Sequence, residues 1–161
     1  MKRFILLVVI ALSVMRCGRP VELPVFEEVS SLHSGIKFSN DLNYDEKLNA
    51  YTYRNFYNGA GVAVGDINND GLIDIYFCGN QVDNKLYLNK GNFEFEDITE
   101  REGVACSGVW STGVSMVDIN GDGLLDIFVC KSGPLRNGIR HNELFINNGD
   151  LTFTESSEAW G

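Results

Sequence analysis

The chain is 161 residues long and carries 13 Lys and Arg against 22 Asp and Glu, a formal charge of −9. A surface of that sign repels phosphate backbones, so the composition argues against a nucleic-acid partner. The length suits one small domain, and 44% hydrophobic residues are enough to give it a core.

At the N-terminus, Met1-Lys2-Arg3 is basic and residues 4–15 are an apolar run. That run has the length of an export signal and falls short of the roughly 20 residues that span a bilayer. Cys17 follows closely, so residues 1–16 read as a lipoprotein-type export signal with Cys17 as the lipidated residue. Arg16 stands where such signals carry a small side chain, which leaves cleavage near Ser13 as the alternative. The expected destination is a bacterial outer membrane or cell surface, or the periplasm, with membrane contact only through an N-terminal lipid anchor. Loss of Lys2, Arg3 and Arg16 leaves 10 basic against 22 acidic side chains, formally −12.

Residues 17–25 read as a linker and 26–60 as an N-terminal segment. Within it, Phe26-Glu27-Glu28-Val29-Ser30 is similar to Phe95-Glu96-Asp97-Ile98-Thr99 further on, an outer-strand pattern. The expectation is that this segment clasps a final sheet and closes a ring. In the aromatic run 51–58, a strand would place Tyr51, Tyr53 and Tyr57 on one side and Arg54 and Phe56 on the other. Such tyrosines either stack on sugar rings or pack between sheets.

Two stretches then repeat one oxygen-rich pattern: Asp66-Ile67-Asn68-Asn69-Asp70-Gly71-Leu72-Ile73-Asp74 and Asp118-Ile119-Asn120-Gly121-Asp122-Gly123-Leu124-Leu125-Asp126. Calcium takes six to eight oxygens at about 2.3–2.6 Å from carboxylates, carbonyls and water. In the first copy Asp66, Asn68, Asp70 and Asp74 offer side-chain oxygens and Leu72 its main-chain carbonyl. In the second copy Asp118, Asn120, Asp122 and Asp126 do so, with the carbonyl of Leu124. Two Ca²⁺ sites are therefore expected. Magnesium suits the pattern less, because it keeps several waters and uses fewer protein ligands. A single such stretch also reads as an Asx-rich turn with no metal, and it is the repetition that favours the ion.

An EF-hand is excluded on two grounds. That motif needs Glu at position twelve, where this chain has Phe77 and Val129. Each loop is also flanked by short apolar β-formers, with Asp74-Ile75-Tyr76-Phe77-Cys78 and Asp126-Ile127-Phe128-Val129-Cys130 following, so it joins strand to strand.

The repetition extends further. Residues 61–78 and 113–130 share eleven identities in eighteen positions at an offset of 52. Asn84-Lys85-Leu86-Tyr87-Leu88-Asn89-Lys90-Gly91 matches Asn142-Glu143-Leu144-Phe145-Ile146-Asn147-Asn148-Gly149 at an offset of 58, which places six extra residues within 131–141. Each unit reads as four short strands, the second an apolar run covered on both faces and the fourth alternating apolar with acidic. Four strands per repeat is the pattern of a β-propeller blade. The expected fold is all-β, two four-stranded antiparallel sheets, with repeats at 61–103 and 104–161.

These loops and repeats resemble the FG-GAP/VCBS repeats of integrin-like β-propellers. Among those, the chain resembles bacterial proteins related to cartilage acidic protein, which carry an ASPIC/UnbV domain downstream. The resemblance spans 26–161 and implies calcium held at the ten loop positions named above, Asp66 to Asp74 and Asp118 to Asp126. It also implies more loops than the two present and an ASPIC/UnbV segment that this chain lacks. Two blades do not close a ring, and Gly161 falls where Gly103 falls in the first repeat. The expectation is a portion of a larger propeller with further blades downstream.

Other chemistry is sparse. His33 and His141 have no zinc-ligand spacing and read as loop residues. Glu94, Glu96 and Asp97 read as a solvated edge beside Lys85 and Lys90, and Trp110 and Trp160 as packing groups. Cys78 and Cys130 end equivalent strands and are expected to stay unpaired. The leading functional expectation is a cell-surface recognition or adhesion module with structural calcium and a protein or glycan ligand. The alternative is part of a carbohydrate-active or polysaccharide-processing enzyme whose catalytic residues lie elsewhere.

Overall fold

A computed structural model of the chain describes residues 25–132 and 141–160. The export signal, Cys17 and most of the extra residues expected within 131–141 lie outside the described residues. What is described is all-β. Strands β1 (Val62–Gly65), β2 (Asp74–Phe77), β3 (Lys85–Asn89) and β4 (Phe95–Asp97) form one antiparallel sheet in sequential order. Strands β5 (Trp110–Val117), β6 (Asp126–Ser132), β7 (Glu143–Asn147) and β8 (Phe153–Glu155) form the other. This four-stranded meander is the architecture of a propeller blade.

The two sheets repeat in register as well as in order. Gly65 faces Asp74 and Val117 faces Asp126 across the first pair of each sheet. Ile75 faces Tyr87 as Ile127 faces Phe145, and Tyr87 faces Asp97 as Phe145 faces Glu155. The offset grows from 52 to 58 between the second and third strands, as the sequence alignment requires. One-turn helices α1 (Ser31–Ser34), α2 (Thr99–Glu102) and α3 (Ser157–Trp160) complete the described elements. Gly35 and Gly103 close the first two in the left-handed region, at φ of 73° and 69°, a conformation that costs glycine little.

The core lies between the sheets. Tyr76, Cys78, Leu86 and Leu88 of the first sheet pack against Ile127, Val129 and Phe145 of the second, with Ile67, Ile98 and Val104 at its margins. Strand periodicity sends alternate residues to opposite faces, so these come from one face of each sheet. The Tyr76 hydroxyl sits inside this core, donating to the Val104 carbonyl at 2.6 Å and accepting from Asn84 Nδ2 at 2.9 Å. Burial pushes the Cys78 thiol up to about 12 and the Cys106 thiol up to about 11. Cys78, Cys106 and Cys130 are free thiols.

Several sequence expectations need adjustment. The second strand is not covered equally on both faces: Asp74 and Tyr76 are fully buried, while Ile75 and Phe77 are half-buried. The other side of that sheet is shared with the N-terminal segment, where Phe38 stacks on Phe77 at 5.1 Å between centroids. Residues 26–30 form no strand. Instead Ser30 caps α1, its hydroxyl accepting from His33 N–H, so the likeness to 95–99 extends to the helical turn and not to the strand. The aromatic run 51–58 is a series of turns, not a strand, because Asn49 and Thr52 side chains take backbone amides locally. Tyr53 and Phe56 turn inward onto Trp110 and Leu48, while Tyr51 and Tyr57 face solvent.

Candidate metal centre

Each acidic loop is the turn between the first two strands of its sheet. In the first, Asp66 accepts from Asp70 N–H at 3.1 Å and from Gly71 N–H at 2.7 Å. Asn68 Oδ1 accepts from Asp70 N–H, its amide nitrogen donates to Asp70 Oδ2 at 2.9 Å, and Asp70 Oδ1 accepts from Leu72 N–H at 2.8 Å. The second loop repeats this frame. Asp118 accepts from Asp122 N–H and Gly123 N–H at 3.1 and 2.9 Å, Asn120 donates to Asp122 at 2.8 Å, and Asp122 accepts from Leu124 N–H at 2.8 Å. The fourth and sixth positions of each loop are left-handed: Asn69 and Gly71 in one, Gly121 and Gly123 in the other. Gly and Asn adopt that region most readily.

The ninth-position carboxylates behave differently. Asp74 and Asp126 are completely buried. Asp74 accepts from Ile67 N–H at 2.9 Å and Asn89 N–H at 2.8 Å, and Asp126 accepts from Ile119 N–H and Asn147 N–H, both at 2.9 Å. Each thus ties the start of its loop to the end of the third strand. Burial holds Asp74 above the usual carboxylate range, Asn89 and Ile67 N–H groups oppose this, and the charges of Asp70 and Asp66 add to it. Keeping Asp74 ionised in these surroundings is costly, and a cation nearby would offset that cost.

The donor set consists of oxygens only, which suits a hard cation. The four Asp carboxylates that open each loop or sit at its fifth position accept two or three N–H bonds each, and an ionised carboxylate has about four acceptor sites. Lone pairs therefore remain for a cation, and the residues fit calcium. Among the described residues, no three His, Cys, Asp or Glu side chains are gathered into a metal-holding group by themselves. A metal shell here would have to draw on Asn68, Asn120 and the main chain as well as on the acids.

Two asparagines belong to these loops although the ligand pattern does not include them. Asn89 donates its side-chain amide to the Ile73 carbonyl at 2.8 Å and accepts from Gly91 N–H. Asn147 donates to the Leu125 carbonyl at 3.1 Å, accepts from Gly149 N–H, and donates to the Ile67 carbonyl at 2.7 Å. The signal was present in the sequence as an Asn-x-Gly at the same place in both copies, Asn89-Lys90-Gly91 and Asn147-Asn148-Gly149.

The remaining candidates do not join the loops. His33 Nε2 lies 2.8 Å from the Asn92 carbonyl, and His141 is exposed. Asp97 pairs with Lys85 at 3.1 Å, and Glu96 lies 3.4 Å from Arg101 and 3.8 Å from Lys90. These are the paired side chains of an outer strand. Trp110 packs on Phe56 and Tyr53, while Trp160 is half-exposed.

Comparison with known proteins agrees with this geometry. Residues 66–129, which contain both loops, match the FG-GAP-like repeat family. "Cartilage acidic protein 1" of Xenopus tropicalis is 35% identical over 131 residues, covering 80% of this chain and 19% of that relative. The proteins of the same name from Mus musculus and Homo sapiens are 36% and 35% identical over 101 residues, covering 62% of this chain and 15% and 14% of theirs. The chain therefore spans less than a fifth of the length of the curated relatives it matches.

Proposed function

The chain carries FG-GAP-like repeats, and from that premise we propose that it is an exported, calcium-stabilised propeller segment serving as a recognition or adhesion module. The observation that carries this reading is the recurrence, 52 residues apart, of one all-oxygen loop with the same hydrogen-bond frame. In it, Asp66, Asn68, Asp70, Leu72 and Asp74 hold one ion, and Asp118, Asn120, Asp122, Leu124 and Asp126 hold the other. Bound calcium supplies positive charge to acids that otherwise repel one another. The chain's own residues do the positioning: the left-handed fourth and sixth positions turn the loop, and Asp74 and Asp126 anchor it to the third strand.

Export accords with the basic start and apolar run at the N-terminus, and lipid attachment at Cys17 is part of the proposal. The partner is a protein or glycan at the cell surface, with further repeats of the same kind stacked on the outer face of the second sheet. The other reading, part of a polysaccharide-processing enzyme, has no observation among the described residues in its favour.

Calorimetric titration tests the metal. Two ions of calcium are expected to bind per chain, and Asp66→Ala and Asp118→Ala are each expected to remove one. A ligand at a hundredfold excess over its Kd adds about 2.7 kcal/mol per site, so EDTA should lower the melting temperature and calcium should restore it. Absence of uptake, or equal rescue by magnesium, would overturn the calcium assignment.

A further inference from the structure

We infer that the two loops form one coupled unit, in which an ion at either loop strengthens binding at the other, with Asn147 as the residue that transmits the effect. This rests on the calcium reading above and adds to it a regulation of the same sites.

The coupling follows from where the Asn147 groups go. Its side-chain amide donates to the Ile67 carbonyl at 2.7 Å, between ligand positions Asp66 and Asn68 of the first loop. The same amide donates to the Leu125 carbonyl at 3.1 Å, and its backbone N–H donates to Asp126 at 2.9 Å, both in the second loop. Asn147 is 2% exposed, so these bonds compete little with water and losing one leaves a buried group unpaired. Ile67 itself donates to Asp74, the ninth position of the first loop. A continuous run therefore links Asp74, Ile67, Asn147 and Asp126. It joins the buried carboxylate of one loop to that of the other through the Asn147–Ile67 bond, whose partners lie 80 residues apart in sequence.

A second contact lies beside the first. Asn69 at the tip of the first loop donates to the Gly123 carbonyl of the second at 3.2 Å. The start of the first loop also sits hard against the second sheet: a Cβ placed on Gly65 would come within 2.6 Å of the Leu125 side chain. An ion that fixes Leu124, Leu125 and Asp126 thus also fixes the amide that holds Ile67. The first loop then has less freedom left to lose when it binds, and reduced ordering cost gives positive coupling. The first repeat carries the same asparagine. Asn89 makes the equivalent bond within its own repeat, to Ile73, and among the described residues no earlier repeat stands where its amide could reach one.

Terbium luminescence and calorimetry on the whole chain test the inference. Asp118→Ala is expected to abolish the second site and also to weaken the first by about tenfold, within the usual span of coupled sites. In an Asn147→Ala background, Asp118→Ala should weaken the first site by much less, the Asn69–Gly123 contact alone remaining. Asn69→Ala, at an exposed position, should reduce the coupling without loss of the fold, and it decides the matter should Asn147→Ala not fold. No metal uptake by the unaltered chain would overturn both the calcium reading and the coupling. Two ions taken up with first-site affinity the same in Asp118→Ala would overturn the coupling alone.

Discussion

Asp66 and Asp74 are both acids of the first loop, yet they stand in different surroundings and should answer mutation differently. Asp66 is partly exposed and holds the tip of the loop, whereas Asp74 is fully buried and bonds two backbone amides. Asp74→Asn turns a donor toward one of those N–H groups, and an unsatisfied buried pair costs about 1–3 kcal/mol. That loss should appear in urea titrations with or without EDTA, while Asp66→Ala should destabilise mainly when calcium is present. Equal behaviour of the two in EDTA would refute the division of roles. At the outer edge, burial pushes Asp97 up, but hydrogen bonds from Thr99 and the Lys85 ammonium outweigh it and hold the carboxyl below its usual range. Folding therefore favours the ionised form, so its stabilisation is complete above the unfolded pKa of about 3.9. It is lost as pH falls through the lower folded value. An Asp97→Asn chain should accordingly show a shallower loss of stability below about pH 4; an unchanged slope would remove Asp97 from the acid response. The two acidic turns were legible because turn-forming and oxygen-bearing residues coincide in one short window. Asn147 was not, since its partner Ile67 lies 80 positions away and only the stacked sheets bring them together.

At the scale of elements, the closest approach of the sheets is between their first strands. A Cβ on Gly61 would meet Gly113 Cα at 2.7 Å and Val114 N at 2.9 Å, both backbone atoms that cannot swing aside. Gly61→Ala should therefore cost about 1–3 kcal/mol, the usual penalty of overpacking. Gly113 holds the same place in the second repeat, but a Cβ there meets only Cys130 Cβ at an ordinary 3.7 Å. Gly113→Ala should be nearly neutral in thermal melts, and a matching loss at both positions would contradict the stacking described. The strands themselves were readable from alternation and loop spacing because each repeat supplied a second copy to check against. The segment 25–60 was not, because its order comes from contacts that no local pattern carries. Asn40 and Asn80 exchange hydrogen bonds, at 2.7 and 2.9 Å, and Asn80 also bonds the Gly59 and Ser111 carbonyls. Residues 26–30 share residue types with 95–99 but form no strand here, because strand formation needs a neighbouring edge to pair with and they pair with the edge of neither described sheet.

Across the whole molecule, one face of the first sheet meets the opposite face of the second, and the repeat is a step in one direction. The first sheet buries Tyr76, Leu86 and Leu88 in this contact; the equivalent positions of the second sheet, Phe128, Leu144 and Ile146, lie on its far side. Val62, Val64 and Ile73 are more than half exposed on or beside the opposite face of the first sheet. Such asymmetric, head-to-tail faces are what a stack of like sheets presents at its two ends. Between those ends, the acidic loops of neighbouring sheets are linked through Asn69 and Asn147, so a cation bound in either loop would belong to the stack rather than to its surface. The most direct test is an anomalous difference map from crystals of this chain grown in millimolar calcium. Two peaks are predicted, one among Asp66, Asn68, Asp70 and Asp74 and one among Asp118, Asn120, Asp122 and Asp126. Loops that kept their hydrogen-bond frame with no peak in either would contradict it.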